Sequence, residues 1–332
     1  MRMLQMTGTE TSPNHRRNLP QRSSLAVPAT QPRFYAKADQ SSADQVVLDL
    51  EDSVAPAAKT KARDQVVSAL RTYRFAKKLR SVRINGCDTA WCQDDIRAVM
   101  EGAGDKLDSL VVPKVESVEH VHLVDSLLGQ IEGKLRLKKR VGLELLIESA
   151  SGIENISSIA GASDRNQALI FGPADLAASL RIPELTIGGR PGQPGDYQDY
   201  FLVRVLVASR ANGLHAIDGP YARIHDHDGL RISAERAARL GFDGKWVIHP
   251  DQIEVVNDVF SPRQEDFDKA TAILTAYGRA ADVENVGAVV LGDEMIDEAS
   301  RKMALVMVER GRAAGMKARP WPPSPAGKRK PT

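Results

Sequence analysis

Short apolar stretches recur along the chain at a regular interval and predict buried strands. They begin at Ser23, Gln45, Ser81, Ser109, Gly142, Ala168, His215 and Gly244, with the sequences SSLAVPA, QVVLDLED, SVRIN, SLVVPKVE, GLELLIES, ALIFGPAD, HAIDGPY and GKWVIHP. Successive starts are roughly 32 residues apart, which is the length of one strand plus a crossover helix. The stretches alternate little between apolar and polar residues, as expected of parallel strands covered on both faces.

The segments between these stretches have the periodicity of amphipathic helices. Examples are AKTKARDQVVSALRTYR, VEHVHLVDSLLGQIEG and YQDYFLVRVLVASRANG, the last of which ends at Gly213, a residue type favoured just after a helix. Eight alternating strand and helix units predict an α/β protein with a TIM-type (β/α)8 barrel. A doubly wound open sheet is the alternative, although nothing in the chain resembles its G-x-G-x-x-G turn.

The pattern divides the chain into four parts. Residues 22–255 are predicted to form the barrel, which is the catalytic domain, and residues 256–312 a helical C-terminal extension. Residues 1–21 and the basic, proline-rich residues 313–332 are predicted to be disordered tails. Since a closed barrel does not need the extension, we expect the extension to act as a lid on a neighbouring subunit of a homo-oligomer.

Composition excludes several classes of protein. The chain has 332 residues, of which 42% are hydrophobic and 27% are charged, as is typical of a folded protein. No apolar run approaches the roughly 18 residues that cross a bilayer, so no membrane association is expected. The net charge is +2, but residues 310–332 hold seven Lys and Arg and no acid, so the body is acidic. An acidic body argues against nucleic acid as a partner, because a basic binding surface would lie on the folded domain.

Cysteine content and the N-terminus bear on the cellular compartment. Cys87 and Cys92 are the only cysteines, and they support neither a disulfide framework nor a zinc ribbon. We therefore expect a reducing cytoplasm. The first residues lack the continuous apolar segment of a secretory signal, while their Arg, Ser and Thr content leaves an organelle matrix as the alternative.

Charged residues close most of the predicted strands, and the carboxyl ends of TIM-barrel strands meet at one mouth. These residues are Asp49, Glu51, Asp52, Arg83, Lys114, Glu116, Glu148, Asp175, Asp218 and His249. Because carboxylates outnumber cations, their repulsion favours a bound divalent cation. Oxygen ligands and the lack of a Cys/His cluster favour Mg²⁺, or Mn²⁺, over Zn²⁺. Glu148 and Asp175 on adjacent strands are the simplest pair of ligands, and a salt bridge or helix cap is the alternative for each acid alone.

Nine motifs, in this order along the chain, resemble one enzyme family. They are RSSLAVPA, VVLDLEDSVAPAAKTKAR, VRIN, VVPKVES, IESASGI, FGPADLAAS, AIDGPY, GKWVIHPDQI and MID, and they span roughly residues 22–310. Together they resemble the malyl-CoA, β-methylmalyl-CoA and citramalyl-CoA lyases of the HpcH/HpaI aldolase, or citrate lyase β-subunit-like, superfamily. The resemblance implies a TIM barrel, Mg²⁺ dependence, acyl-CoA and α-oxo acid substrates, and a trimer or hexamer in which a C-terminal segment closes a neighbouring site.

The resemblance also implies roles for individual residues at the reaction centre. Glu148 in IES and Asp175 in GPAD match the metal ligands of the family. Arg83 in VRIN matches the arginine that faces the reacting carbonyl and carboxylate oxygens. Asp297 in MID matches the catalytic acid/base on the C-terminal lid, which protonates the enolate carbon.

Further positions match supporting groups of the family. Glu51 and Asp52 in LED match acids near the metal-bound waters. Arg22, Arg33 and Lys37 fall near the basic positions that hold the phosphates of CoA.

The implied reaction is the reversible Claisen-type cleavage of (S)-malyl-CoA or β-methylmalyl-CoA to glyoxylate and acetyl-CoA or propionyl-CoA. GPADLAAS and IESASGI resemble the malyl-CoA branch more than the GGEDF-like form of the citramalyl-CoA branch, which favours glyoxylate over pyruvate. A citramalyl-CoA lyase and a malyl-CoA thioesterase are the alternatives. A Schiff base at Lys114 is disfavoured because the reaction needs no covalent intermediate. A non-enzymatic scaffold would predict missing site residues, and none is missing.

Overall fold

The eight apolar stretches form a closed barrel of parallel strands, whose Val, Ile and Leu side chains are buried on both faces. The structure is a computed structural model that describes residues 20–183, 197–279 and 287–321. The strands are β1 (Ser23–Pro28), β2 (Gln45–Asp49), β3 (Leu79–Arg83), β4 (Ser109–Val112), β5 (Gly142–Ile147), β6 (Asn166–Phe171), β7 (His215–Asp218) and β8 (Gly244–Val247). Each strand pairs with the next, and β8 pairs with β1. The predicted TIM barrel is confirmed, and the open sheet is excluded.

Helices connect the strands. They are α1 (Tyr35–Gln40), α2 (Lys59–Thr72), α3 (Cys92–Ala103), α4 (Val118–Leu135), α5 (Ala150–Glu154), α6 (Ile156–Ala160), α7 (Pro173–Ser179), α8 (Gln198–Ala211), α9 (His227–Leu240) and α10 (Ile253–Val259). Local signals set their ends, as α9 illustrates: the Asp226 side chain accepts the N–H of Gly229, and Gly241 ends the helix at a φ of 112°. Across the described ranges, no helix is both long and apolar enough to cross a membrane.

Every second side chain of a strand points into the barrel. The middle of the interior is an apolar layer formed by Val47, Val111, Leu146, Ala168, Ile170, Ile217 and Trp246. On β5 the same alternation turns Glu144, Leu146 and the following residue Glu148 inward. A carboxyl group therefore lies on each side of the apolar layer, and only the upper one, Glu148, lies at the carboxyl ends of the strands.

The lower carboxyl group, Glu144, is held by a buried hydrogen-bond network. Gln45 and Ser109 donate to Oε1 at 2.6 and 2.5 Å, and Gln21 donates to Oε2 at 2.9 Å. Burial raises the pKa of Glu144 above its ordinary value. Gln21 was predicted to lie in a disordered tail over residues 1–21, but it is buried beneath the barrel. Residues 1–19 of that predicted tail lie outside the described residues.

The chain after Phe260 forms a second compact unit. It contains α11 (Gln264–Arg279), the hairpin strands β9 (Val289–Leu291) and β10 (Glu294–Ile296), and α12 (Glu298–Ala313). Phe267, Ala270, Ala304 and Val308 form its core. The boundary falls a few residues later than the predicted 255/256, because α10 packs against β1 and β8.

Part of the predicted C-terminal tail is held on this second unit. The N–H of Arg319 donates to Asp268 at 2.7 Å, and Gln264 donates to the carbonyl of Lys317 at 3.0 Å. These contacts bring residues of the predicted tail, 313–332, onto α11. Residues 322–332 lie outside the described residues.

The first residue of β8, Gly244, packs closely against the backbone of the segment that precedes β1. A β-carbon on Gly244 would lie 1.8 Å from the carbonyl oxygen of Gln21, which is backbone and cannot move aside. Gly244→Ala is therefore expected to lower the free energy of unfolding by about 3 kcal/mol. Gly133→Ala in α4 is the matched control, because its β-carbon would meet nothing within 4 Å. The control is expected to be neutral or stabilising by about 0.5 kcal/mol in urea unfolding, and equal effects of the two substitutions would contradict the expectation.

Candidate active site

The alternation along the strands assembles charged side chains at the mouth of the barrel. Asp49 and Arg83 are the last residues of β2 and β3, and they are neighbours in the strand register. Glu148 follows β5 directly, and Asp175 lies in the first turn of α7, after β6. Glu51 lies on the loop that follows β2. The structure therefore brings together these predicted residues from four different strand ends.

Arg83 is fixed by a two-pronged ion pair with Asp49. Its Nε and Nη2 each lie 2.7 Å from an Asp49 oxygen, and Nη1 lies 2.9 Å from Oε2 of Glu51. Burial alone would lower the pKa of Arg83, but the Asp49 and Glu51 charges outweigh it and hold the pKa above the ordinary value. The hydrogen bonds to Asp49 use two of the five guanidinium N–H groups, so donors remain for a substrate oxygen.

Glu51 and Asp52 differ in their surroundings. Glu51 is 4% exposed and accepts a hydrogen bond from the ammonium group of Lys114, whereas the Asp52 side chain is 58% exposed. Burial, together with the charge of Asp52, raises the pKa of Glu51 above its ordinary value despite the opposing effects of Arg83 and Lys114. The same contacts raise the pKa of Lys114 above 10.5 against the effect of burial. A lysine held protonated in this way is a poor nucleophile, which agrees with the expectation that Lys114 forms no Schiff base.

Glu148 is a buried carboxyl group at the mouth with a raised pKa. It is 4% exposed, and its Oε1 accepts the N–H of Lys114 at 2.8 Å. A β-carbon on Gly172 would lie 2.7 Å from its Oε2, so only glycine leaves room for this carboxylate. Burial, with the charges of Asp175 and Glu51, raises the pKa of Glu148 to about 8. In the part of the chain that the structure describes, this buried carboxyl forms no ion pair, so the charge of its ionised form is left without a direct partner.

A divalent cation fits the pair formed by Glu148 and Asp175. Within the described residues, Asp175 has no hydrogen bond or ion pair, and no three His, Cys, Asp or Glu side chains form a metal-binding group. A three-residue group is not required, since Mg²⁺ commonly takes one or two carboxylates and leaves its other positions to water and substrate. The neighbouring cations Arg83 and Lys114 already pair with other acids. Glu148 and Asp175 repel each other and form no ion pair within the described residues, so a hard divalent ion would stabilise them.

The structure separates the three basic residues predicted to bind CoA. Arg33 and Lys37 are exposed on the segment after β1, at the mouth of the barrel, and the Arg33 guanidinium lies 4.9 Å from the centroid of the Phe34 ring. Arg22 precedes β1 at the opposite end of the barrel and pairs with Asp44 at 2.8 Å. Arg22 therefore lies at the wrong end of the barrel to bind CoA together with Arg33 and Lys37. Only Arg33 and Lys37 remain candidates for binding the phosphates of CoA.

Asp297 lies in the second unit, where it begins α12. Its Oδ1 accepts the backbone N–H of Ser300 at 2.9 Å and the Ser300 hydroxyl at 3.1 Å. These hydrogen bonds lower the pKa of Asp297 below its ordinary value. Asp297 is thus a deprotonated helix cap within its own unit.

Two residues predicted at the mouth have other roles. Asp218 faces outward from β7 and forms a buried ion pair with Lys245 at 2.5 Å, because the inward position of that strand belongs to Ile217. His249 caps the short turn Pro250–Gln252, where its Nδ1 accepts the N–H of Asp251 at 3.3 Å. A position at the end of a strand is therefore not sufficient to place a side chain in the site.

Two supporting residues were given no role by the sequence reasoning. Asp49 was predicted at the mouth without a role, and it fixes Arg83; the alternation on β2, which turns Asp49 inward, was the signal for such a role. Lys59 is 5% exposed, and its ammonium group donates to the carbonyls of Leu50 and Glu51 at 2.8 Å and to Asn85 at 2.6 Å. Lys59 thereby connects the loop after β2, which carries Glu51, to the loop after β3. No local motif predicts this connection.

Asp49→Asn is expected to lower both activity and stability. The substitution leaves the guanidinium of Arg83 buried without its main counter-charge, which costs on the order of 3 kcal/mol. Burial tends to raise the pKa of Asp49, but Arg83 outweighs it and holds the pKa below 3.8. The stabilisation by the carboxylate is therefore present above pH 3.8 and is lost as pH falls through the lower folded-state value. Urea unfolding across pH should show the two proteins converging in acid, and a constant difference would contradict this.

A closed (β/α)8 barrel that carries the buried Glu148 beside Asp175, with a fixed arginine at the carboxyl ends of its strands, has the arrangement of a TIM-barrel enzyme. Within that class, residues 22–250 match the family described as HpcH/HpaI aldolase/citrate lyase, and the chain belongs to this family. The chain is 40% identical over 301 residues to an L-malyl-CoA/beta-methylmalyl-CoA lyase from Cereibacter sphaeroides (strain ATCC 17025 / ATH 2.4.3), with 88% of this chain and 94% of the relative covered.

Two further proteins are similar to this chain over most of its length. A (3S)-malyl-CoA thioesterase from the same C. sphaeroides strain is 37% identical over 261 residues, which cover 79% of this chain and 84% of the relative. The protein CitE from Mycobacterium tuberculosis, solved in complex with magnesium, acetoacetate and coenzyme A, is 29% identical with a TM-score of 0.69. That similarity covers 89% of this chain and 99% of CitE.

Proposed function

We propose that this protein catalyses the reversible Mg²⁺-dependent cleavage of (S)-malyl-CoA and β-methylmalyl-CoA to glyoxylate and acetyl-CoA or propionyl-CoA. The chain is a carbon–carbon lyase that acts on CoA esters. The observation that carries the proposal is the buried Glu148 carboxyl beside Asp175 and Arg83, because this arrangement suits a metal-chelated hydroxy acid. Its extended similarity to L-malyl-CoA/beta-methylmalyl-CoA lyases supports the choice of substrate.

Glu148 and Asp175 would hold the metal. When bound, a divalent cation acts as a Lewis acid toward the hydroxyl and carboxylate oxygens of the substrate. Arg83 directs its remaining N–H groups at the oxygens on which negative charge develops, a contribution on the order of 3 kcal/mol. Because Asp49 holds the guanidinium in place, these donors need no reorganisation during the reaction.

Proton transfer at carbon is assigned to Asp297. When the carbon–carbon bond breaks, the substrate hydroxyl loses its proton and becomes the oxo group of glyoxylate, and the bonding electrons leave as a thioester enolate. The enolate carbon then takes up one proton to give the acyl-CoA, so the reaction as a whole neither consumes nor releases a proton. In the condensing direction a carboxylate must remove that proton, and the lowered pKa of Asp297 keeps it deprotonated for this step. Arg33 and Lys37 supply positive charge for the phosphates of CoA.

The proposal extends to assembly, metal choice and compartment. We assign the C-terminal extension the role of a lid on a neighbouring subunit in a trimer or hexamer. Mn²⁺ is expected to replace Mg²⁺, since both are hard cations with oxygen ligands. The cytoplasm is the proposed compartment, where the free thiols of Cys87 and Cys92 stay reduced. Light scattering of the protein as it elutes from a gel-filtration column measures its molar mass, and we expect the mass of a trimer or a hexamer.

A product assay tests the proposed reaction. Purified protein is incubated with Mg²⁺, acetyl-CoA or propionyl-CoA, and glyoxylate or pyruvate, with a chelator control, and the CoA species are followed by mass spectrometry. We expect malyl-CoA and β-methylmalyl-CoA to form from glyoxylate, and we expect the chelator to abolish their formation. Free CoA and malate without an accumulating adduct would instead identify a thioesterase, the activity of a 37%-identical relative. No product from any pair would refute the proposal.

A further inference from the structure

Trp246 occupies the interior of the barrel directly beside the site. It lies on β8, belongs to the apolar inner layer and is 4% exposed. The guanidinium carbon of Arg83 lies over its indole ring, 5.5 Å from the ring centroid. A cation in this position is attracted to the ring face. Arg83 is therefore held by the Asp49 carboxylate and by the indole together.

The indole N–H of Trp246 is an unsatisfied donor. Within the described part of the chain, its Nε1 is buried and has no hydrogen-bond partner. An unpaired buried donor costs about 1–3 kcal/mol, so such groups are rare unless an acceptor enters beside them. A ring that supports Arg83 and also carries an unpaired donor is suited to contact a small polar ligand.

The groups around Arg83 dictate how a small α-oxo acid would lie. Its carboxylate and oxo oxygens would face the polar groups at the mouth, Arg83 and the acid pair of Glu148 and Asp175. The substituent on the oxo carbon has no polar partner, so it faces apolar surface. Beneath Arg83 that surface is the indole of Trp246, backed by side chains such as Ile170 and Ile217.

We propose that Trp246 is the specificity-determining residue for the oxo acid, in that its indole leaves room for the hydrogen of glyoxylate and excludes the methyl group of pyruvate. This inference rests on the proposed lyase function. A tightly packed interior cannot accept an added methyl group without moving its neighbours. Discrimination of this kind over a single methyl group is worth 10- to 200-fold in rate, by analogy with other enzymes, so we expect about that range.

Trp246→Leu tests the inference. The ratio of kcat/KM for glyoxylate to kcat/KM for pyruvate, measured as CoA adducts in the condensing direction, is expected to fall about 10- to 200-fold. Trp246→Phe keeps an aromatic ring in place and is expected to retain most of the discrimination. Val111→Ala is the matched control, because Val111 belongs to the same layer but lies on β4, four strands around the barrel from β8, so the ratio should stay unchanged.

Two outcomes overturn the inference and are distinguishable from failure of the lyase proposal. A folded Trp246→Leu variant that condenses glyoxylate with an unchanged ratio overturns the role of Trp246 alone. A wild-type protein that forms no adduct with either acid overturns the lyase proposal and with it the inference.

A second measurement leaves Trp246 in place. In Trp91→Phe/Trp321→Phe, Trp246 is the sole tryptophan, so its fluorescence reports on the ring directly. Glyoxylate with Mg²⁺ is expected to change its emission more than pyruvate at equal concentration. Equal responses to the two acids, or no response to either in a variant that turns over glyoxylate, would overturn the inference even if Trp246→Leu fails to fold.

Discussion

Glu148→Gln is expected to raise the Mg²⁺ concentration needed for half-maximal turnover by at least about 100-fold, since even residues that only support metal ligands alter affinity 10- to 100-fold. The substitution keeps the shape of the side chain and its contact with the Lys114 N–H, but it removes the charge. Only Asp175 would then remain of the two ligands. Mg²⁺ titrations of activity and of heat release on binding measure the effect with and without turnover.

Glu144→Gln provides the control on the same strand. Glu144 is also buried and also has a raised pKa, but it is bonded to Gln45, Ser109 and Gln21 below the apolar layer. Its substitution should leave the Mg²⁺ titration unchanged. If Glu148→Gln titrated like wild type, Glu148 would not be a metal ligand.

Asp297→Asn is expected to lower kcat by about 10²- to 10⁴-fold, the usual contribution of a general acid or base. Asparagine is as good a helix cap as aspartate, so α12 and its contact with Ser300 should persist. Acyl-CoA affinity should therefore change little. Steady-state kinetics, with calorimetry of acetyl-CoA binding, separates the loss of proton transfer from a loss of structure.

Asp226→Asn is the matched control for this substitution, because Asp226 caps α9 in the same way, through the N–H of Gly229. It should turn over substrate at close to the normal rate. Deuterium exchange at the methyl group of acetyl-CoA adds a direct probe: we expect wild type to catalyse this exchange with Mg²⁺ and Asp297→Asn to lose it. Near-normal turnover or exchange in Asp297→Asn would mean that another group carries the proton.

Some parts of the site followed from local pattern. Glu148 and Asp175 were identified because each follows an apolar strand, and the carboxyl ends of parallel strands share one mouth. The same rule failed for Asp218, since side chains alternate across a strand and a shift of one position turns a residue from the pocket to the helices. The prediction that Arg22 helps to bind CoA was wrong for a related reason, because Arg22 lies near Arg33 in the sequence but at the other end of β1.

The sequence by itself determined the barrel, the order of its strands and the acids that end them, because strand length, burial and helix periodicity are written in short segments. The tertiary structure alone decided which side chains meet. The pairing of Asp49 with Arg83, the hydrogen bond from Lys59 to Asn85 and the indole of Trp246 beneath the guanidinium join residues 26 to 163 positions apart. Contacts across a closed barrel depend on the register between strands that are distant in the sequence, and no local pattern encodes that register.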